Sequence, residues 1–232
     1  MAQFSMDTLK TAFILCGGKG SRFQEISATT PKILATVNGR PFAEILVTQA
    51  LSAGYERLIF LLGHLSEPIA EFLNATELRK NIVLEYLVES VPLGTGGAVR
   101  NALDHYQDIH RIFIVNGDTY WANGLPINAN QNEDCISLFQ PTYGSNYGGI
   151  KVINERAAFF HINWELGDYT SAGMLCTTRD LLLTTLSLSS NLENDFLPNW
   201  INKYMPNCKI IIETTDFGVP ERYRKLNEDN LL

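Results

Sequence analysis

Three kinds of residue recur in this chain where chemistry can be done: basic side chains beside glycine clusters, carboxylates at the ends of apolar runs, and glycine pairs. The first group is Gly17-Gly18-Lys19-Gly20-Ser21-Arg22, which follows the apolar run Ala12-Phe13-Ile14-Leu15-Cys16 and precedes Pro31-Lys32. Glycines at the end of a buried strand let backbone N–H groups approach an anion without interference from Cβ, and Arg22 and Lys32 add positive charge. The chemistry implied is the gripping of nucleotide phosphate. The spacing is not Gly-x-Gly-x-x-Gly, and Gly20 stands where a P-loop has Ser or Thr. By itself the turn also reads as a tight connection with no ligand.

Four further segments have suitable composition. Glu89 precedes Leu93-Gly94-Thr95-Gly96-Gly97-Ala98, whose glycines would admit a flat base or ribose and whose following helix offers its N-terminus to phosphate; a glycine-rich helix start is the other reading. Ile112-Phe113-Ile114-Val115-Asn116-Gly117-Asp118 delivers one carboxylate at a strand end. That suits Mg²⁺, which takes few protein carboxylates and keeps phosphate oxygens and waters, or a turn cap. Asp216-Phe217-Gly218-Val219-Pro220 supplies a second carboxylate, or simply a helix start with Pro220 in its first turn. Tyr147-Gly148-Gly149 either admits a sugar ring against the backbone or forms a turn.

Positioning these residues requires strands alternating with helices. Thr11 to Cys16, Leu58 to Leu62, Ile82 to Leu87 and Arg111 to Asn116 read as strands, separated by helices from Pro41 to Ala53, Ser66 to Leu73 and Gly96 to Tyr106. This alternation specifies a largely parallel α/β sheet covered on both faces, with ligands at the carboxyl ends of the strands. After Asp118 the pattern is mixed. Strands are expected over Cys135 to Phe139, Gly149 to Ile153, Ala158 to Ile162, Ala172 to Thr177 and Lys209 to Thr214, and helices near Arg179 to Leu188 and Asn194 to Tyr204. Asn128 to Glu133 and Leu188 to Asn194 read as polar loops.

The chain has 232 residues, 45% hydrophobic and 19% charged, enough for a substantial core in one domain. Its formal net charge is −7, without a long block of like charge, so neither a nucleic-acid nor a membrane-surface partner is expected. Cys16, Cys135, Cys176 and Cys208 lie singly in apolar segments, arguing against zinc and disulfides and for a reduced, cytosolic setting. Met1 to Lys10 lacks the apolar stretch of a signal peptide, so a cytoplasmic location is expected.

Taken together, these segments resemble the sugar-phosphate nucleotidyltransferases, the NDP-sugar pyrophosphorylase family, over nearly the whole chain and in the family's order. The resemblance rests on Gly17 to Arg22, Pro31-Lys32, Leu93 to Ala98, Asn116-Gly117-Asp118 and Asp216 to Tyr223. Leu-Gly-Thr-Gly-Gly-Ala and Asn-Gly-Asp-Thr, with the compact length, are most similar to the D-glycero-α-D-manno-heptose 1-phosphate guanylyltransferase subfamily. The resemblance implies a Rossmann-like GT-A fold with a mixed, mostly parallel sheet flanked by helices. It also implies a nucleotide-binding half to about residue 120 and a sugar-phosphate-binding half from about 121 to 232. Arg22 and Lys32 would hold phosphate, and Asp118 and Asp216 would hold Mg²⁺. Leu15, Gly17, Gly18, Gly20, Ser21, Glu89, Gly94 and Thr95 would line the nucleotide, and Asn116, Tyr147, Gly148 and Ser171 the sugar phosphate. Lys19, at a variable loop position, is a weaker candidate.

The implied reaction joins a sugar 1-phosphate to an NTP with release of pyrophosphate. Glu89 stands where the family reads the base, and a carboxylate, which only accepts hydrogen bonds, suits the N1–H and N2–H₂ donors of guanine, hence GTP. Glu85 lies close by, and UTP or CTP is the alternative. One family feature is missing: the Glu-Lys pair whose lysine binds the sugar phosphate has no counterpart, since no lysine occurs from Val152 through Asn202. Lys151, Arg156, His161 or Arg179 would have to supply that charge, or the chain is a non-catalytic nucleotide-sugar-binding regulatory subunit. A homo-oligomer is left open.

Overall fold

Strands in the first part of the chain form because their apolar runs are uninterrupted. The computed structural model describes residues 9–18, 20, 22–27, 29–126, 132–141, 148–161, 163, 165 and 168–228. In chain order the elements are β1 (Thr11–Leu15), β2 (Thr36–Val37), β3 (Arg40–Pro41), α1 (Phe42–Ser52), β4 (Arg57–Leu62), α2 (Ser66–Ala75), β5 (Val83–Val88), α3 (Gly94–His105), β6 (Arg111–Asn116) and β7 (Thr119–Trp121). There follow β8 (Cys135–Phe139), β9 (Gly149–Ile153), β10 (Arg156–His161), β11 (Thr170–Thr178), α4 (Arg179–Thr185), α5 (Leu197–Tyr204), β12 (Asn207–Ile210), β13 (Thr214–Asp216) and α6 (Pro220–Glu228). The fold class is α/β, with a mixed, mostly parallel sheet and flanking helices.

Internal contacts divide the chain into two units, between which it passes four times. The first holds the described residues up to Pro92, Val115–Leu125, and those from Thr215 onward. Its centre is the parallel ladder β5-β4-β1, with Thr11 opposite Arg57 and Arg57 opposite Val83. All six residues of β4 are buried, as expected of a strand covered on both faces. The helix α1 buries Phe42, Ala43, Ile45, Leu46, Val47 and Ala50, and Gly54 takes the left-handed conformation just after it, at φ +75°. Pro41 precedes α1 as its N-cap instead of being its first residue.

The second unit holds Leu93–Ile114 and the described residues of Pro126–Thr214. Its strands are ordered β11-β8-β12-β10-β9. The pair β8 and β12 is parallel, while β11 with β8, β12 with β10, and β10 with β9 are antiparallel. Asn202 on α5 accepts a hydrogen bond from the Phe160 N–H of β10, and Leu197, Trp200 and Ile201 are buried. Asp134 ties this unit together by accepting from Thr177 Oγ1 at 2.8 Å and Trp200 Nε1 at 3.1 Å and pairing with Arg111 at 3.0 Å.

Several boundaries differ from expectation. The helix expected from Gly96 begins at Gly94, and the one expected to reach Leu188 ends at Thr185. The strand expected over Lys209 to Thr214 is two short strands, because Ile212 is 89% exposed and has no sheet neighbour to cover it. The segment expected as the start of a helix at Asn194 is a π-helical turn, Leu192–Phe196, that leads into α5. The four cysteines are free thiols. Burial pushes Cys135 and Cys208 up to about 11 and Cys176 up to about 12.

Candidate active site

In the first unit the carboxyl ends of β1 and β6 are drawn together at Gly117, whose N–H donates to the Leu15 carbonyl at 2.9 Å. A Cβ on Gly117 would lie 2.7 Å from that oxygen and 3.2 Å from Cys16 Cβ, so the close approach requires glycine. Asp118 is the next residue, and its carboxylate receives the Lys32 ammonium group. The same ammonium nitrogen lies 3.8 Å from Asp216 Oδ1. Lys32, Asp118 and Asp216, separated by up to 184 positions in the chain, thus form one cluster.

Asp216 is fixed from both sides. Its Oδ1 accepts from the Gly218 N–H at 2.6 Å, and Arg222 Nη1 lies 3.5 Å from Oδ2. The next residue, Phe217, is fully buried against Phe42, with ring centroids 4.5 Å apart, and against Phe23 and Tyr223. Its N–H donates to the Asp118 carbonyl at 3.1 Å, tying the two carboxylate-bearing segments together. Burial first, and the like charge of Asp118 second, push the Asp216 carboxyl above its ordinary value; Lys32, the Gly218 N–H and Arg222 pull it down without overcoming that.

This charge balance bears on metal. Two carboxylates face one closely held ammonium, with the exposed Arg222 guanidinium 3.5 Å from Asp216 at the rim. Among the described residues no three His, Cys, Asp or Glu side chains gather to hold a metal. A cation here would take two carboxylate oxygens from the protein and its other ligands from phosphate and water, which is how Mg²⁺ is usually held. The donor set therefore fits Mg²⁺.

Beside the cluster, the glycine turn after β1 meets a residue the sequence reading passed over. Gly63, just after β4, lies where a Cβ would be 2.6 Å from both the Gly17 carbonyl oxygen and Glu89 Oε1. The His64 N–H donates to the same Gly17 carbonyl at 3.2 Å. Gly63 lets the glycine turn and Glu89 approach each other; its signal was a lone glycine at the carboxyl end of an apolar run. Glu85 pairs with the buried Arg57, Nε to Oε2 2.5 Å. Gly18 is exposed with open space around its Cα, and Gly20 adopts φ +56° while its carbonyl accepts from the Phe23 N–H at 2.7 Å. Arg22 is exposed and Asn116 half-buried. Lys19, Ser21 and Tyr147 lie outside the described residues.

The remaining candidates are in the second unit. Gly94, Gly96 and Gly97 make room for the chain at Leu188–Asn191: Gly96 and Gly97 both donate to the Ser190 carbonyl, at 2.9 and 3.0 Å, and a Cβ on Gly94 would lie 2.5 Å from it. Two of the N–H groups expected to face phosphate are thereby occupied. Thr95 Oγ1 donates to Glu193 at 2.9 Å and accepts from the Leu192 N–H at 2.8 Å. Ser171 is half-buried on β11 and accepts from the Gly173 N–H at 3.3 Å. Gly148, at φ +76°, lets the His161 carbonyl and the Phe160 ring come close.

Of the four groups that were to replace the missing lysine, two have structural partners. Arg179 donates to the Leu103 and Tyr106 carbonyls at the end of α3, and Arg156 to the Met205 carbonyl. Lys151 and His161 converge instead on Asp168, whose side chain is fully buried.

Comparison with known proteins identifies the family. The nucleotidyl transferase family matches residues 11–137, more than half of the chain. The chain therefore belongs to the nucleotidyl transferase family, as a sugar-phosphate nucleotidyltransferase. It is 27% identical over 216 residues to D-glycero-α-D-manno-heptose 1-phosphate guanylyltransferase of Campylobacter jejuni, with 91% of this chain and 96% of that one covered. It is 24% identical over 230 residues to the enzyme of the same name from Aneurinibacillus thermoaerophilus, with 94% and 97% covered. Among solved structures, HddC from Yersinia pseudotuberculosis superposes with a TM-score of 0.72 at 23% identity, covering 95% of this chain and 99% of that one. The Rossmann-like nucleotidyltransferase fold is thus shared.

Proposed function

We propose that the protein is a sugar-1-phosphate guanylyltransferase that joins D-glycero-α-D-manno-heptose 1-phosphate to GTP, giving the GDP-sugar and pyrophosphate, with Mg²⁺. The observation that carries this reading is the cluster of Lys32 with Asp118 and Asp216 in the unit that holds the glycine turn. The names of the relatives from C. jejuni and A. thermoaerophilus support heptose and guanine. Glu89, a carboxylate beside the glycine turn, is the residue proposed to read the two donors on the guanine edge. The setting is cytoplasmic, and no described helix is long and apolar enough to cross a membrane.

The reaction is an in-line displacement. An oxygen of the sugar phosphate forms a bond to the α-phosphorus, the bond from that phosphorus to the bridging oxygen breaks, and pyrophosphate departs with the electron pair. The nucleophile is already an anion, so no side chain has to remove a proton. The protein's work is to hold two like-charged reactants in line and to offset charge that builds in the transition state. Lys32 and Arg22 bind phosphate oxygens. Leu15, Gly17, Gly18, Gly20 and Ser21 would line the nucleotide, and Asn116 would meet the sugar phosphate. Asp118 and Asp216 would hold Mg²⁺, which when bound supplies positive charge against the phosphate oxygens. Tyr147, Gly148 and Ser171 are the further residues that the family resemblance assigns to the sugar phosphate.

A screen of the four NTPs against heptose, mannose and glucose 1-phosphates, read by pyrophosphate release with Mg²⁺, tests the reading. The expected result is highest kcat/KM for GTP with the heptose 1-phosphate. Preference for UTP or CTP overturns the base assignment. Nucleotide binding with no turnover on any pair makes the protein a regulatory subunit.

A further inference from the structure

Besides its two carboxylates, the Lys32 ammonium group faces an aromatic ring. Its nitrogen lies over the Phe217 ring, 5.4 Å from the centroid, inside the roughly 6 Å within which the electron-rich face of a ring attracts a cation. Both residues belong to the first unit. The ring is fully buried and the lysine side chain 17% exposed, so little water screens the pair.

Three other rings fix the face that Phe217 presents. Phe42, at the start of α1, meets it at 4.5 Å and 73°, Phe23 at 6.4 Å and 65°, and Tyr223 of α6 at 6.2 Å and 46°. Tyr223 is itself tied down, its hydroxyl donating to the Thr36 carbonyl at 2.6 Å and its ring meeting Phe23 at 5.3 Å and 84°. The backbone of Phe217 is held as well, by its N–H on the Asp118 carbonyl and by the Gly218 N–H on Asp216 Oδ1. Gly218 leaves room for the ammonium group, since a Cβ there would be 3.0 Å from Lys32 Nζ and 2.8 Å from Asp216 Oδ1. One short stretch, Asp216 to Gly218, thus places a carboxylate, a ring face and a gap around the same nitrogen.

Packing alone would be served by any large apolar side chain. The aromatic face adds something a leucine cannot. An ammonium group has three N–H donors and no acceptor. One donor goes to Asp118, while Asp216, at 3.8 Å, lies beyond hydrogen-bond distance. A carbonyl or a third carboxylate in place of the ring would hold the lysine by claiming another donor. The ring attracts the charge without a lone pair to claim one, and it adds no net charge beside two carboxylates. Lys32 is therefore held in place with N–H groups left for phosphate oxygens.

We propose that Phe217 is a positioning residue for the transfer reaction, acting through Lys32: its ring face holds the ammonium group beside Asp118 and leaves donors for phosphate. The inference rests on the proposed function for the reaction that Lys32 serves. Phenylalanine carrying one, two or three ring fluorines keeps its shape while charge is drawn from its face, so a series at position 217 weakens the attraction and largely preserves the packing. Across that series kcat in pyrophosphate release is expected to fall stepwise to about three- to ten-fold below wild type. The same series at Phe42, a buried ring packed against Phe217, is expected to leave kcat unchanged. In the protein without substrates, the ε-methylene proton signal of Lys32 is expected upfield of an ordinary lysine's because of the ring current, and Phe217→Leu to return it. A kcat that stays flat across the series at 217, equal falls at 217 and 42, or a Lys32 signal at the ordinary lysine position in the wild type overturns the inference. A wild-type protein that forms no nucleotide sugar from any pair overturns the proposed function instead, while the Lys32 signal still reads the contact with the ring directly.

Discussion

Replacing Lys32 by Met removes the ammonium group while keeping an apolar stem of similar length, so the consequences follow from charge. In the native cluster the ammonium group pairs with Asp118 and lies 3.8 Å from Asp216; the side chain of Lys32 is 17% exposed and those of the two aspartates 34% and 30%. A hydrogen bond to a charged partner contributes about 1.5–3 kcal/mol when buried, and solvent reaching a third of each carboxylate lowers that to about 1–2 kcal/mol. For a chain of this size that is a fall in Tm of about 2–8 °C. The loss in the transition state is larger, because the lysine then faces charge that exists only during transfer: about 2–4 kcal/mol, or roughly 30- to 1,000-fold in kcat. The two carboxylates left behind in Lys32→Met repel one another without the ammonium between them, so added Mg²⁺ should raise the variant's Tm more than the wild type's. Thermal unfolding with and without Mg²⁺, alongside steady-state pyrophosphate release, measures all three quantities. A variant with kcat within three-fold of wild type, or with no greater response to Mg²⁺, refutes the assignment of Lys32 as the cation that serves both carboxylates and substrate.

Two further outcomes follow from the packing. Gly63→Ala places a methyl group 2.6 Å from the Gly17 carbonyl and Glu89 Oε1, and should cost about 1–3 kcal/mol of stability while raising KM for the nucleotide more than KM for the sugar phosphate; urea unfolding and initial-rate kinetics check both. Burial pushes the Asp168 carboxyl up, but Lys151, the Glu165 N–H and His161 together bring it below its ordinary 3.8. A depressed carboxyl stabilises the fold fully above its unfolded pKa and loses that contribution as pH falls through the folded one. The stability difference between wild type and Asp168→Asn should therefore be present at pH 5 and close below 3.8, measured by denaturant unfolding at each pH; a gap that has already closed at pH 5 refutes the sign.

How much of this was legible in the residues varied with the range of the interactions. Strands β1, β4 and β6 were legible because their apolar runs are long and end in glycine, Asp118 because it stands just past such a run, and Asp216 because it precedes the Gly218–Pro220 helix start. Asn38-Gly39, at φ +47° and +82°, turns the small hairpin of β2 and β3 and is an ordinary two-residue turn signal that the helix-centred reading passed over. The glycines of Leu93 to Ala98 were legible as a site of close approach, yet what approaches them is Ser190, nearly a hundred positions away, and no local pattern announces that partner. Asp168 was invisible for a similar reason. A carboxylate in a polar stretch reads as solvent-exposed until the fold shows that Gly149 on a neighbouring strand has left space for it.

The distance along the chain between Asp118 and Asp216 has a consequence for synthesis. The two are 98 positions apart, and at about 5–20 residues per second translation takes roughly 5–20 s to pass from one to the other. During that interval β1, the glycine turn, Lys32 and Asp118 already exist, but Phe217 has not been made. Phe42 and Phe23, the rings it packs against, lack their partner, and the Lys32 ammonium group has only one carboxylate to answer. The first unit thus waits for Thr215 and the residues beyond it before its aromatic core can close, so a nascent chain carries an open apolar face for most of its synthesis and gains its second aspartate in the same stretch that covers that face.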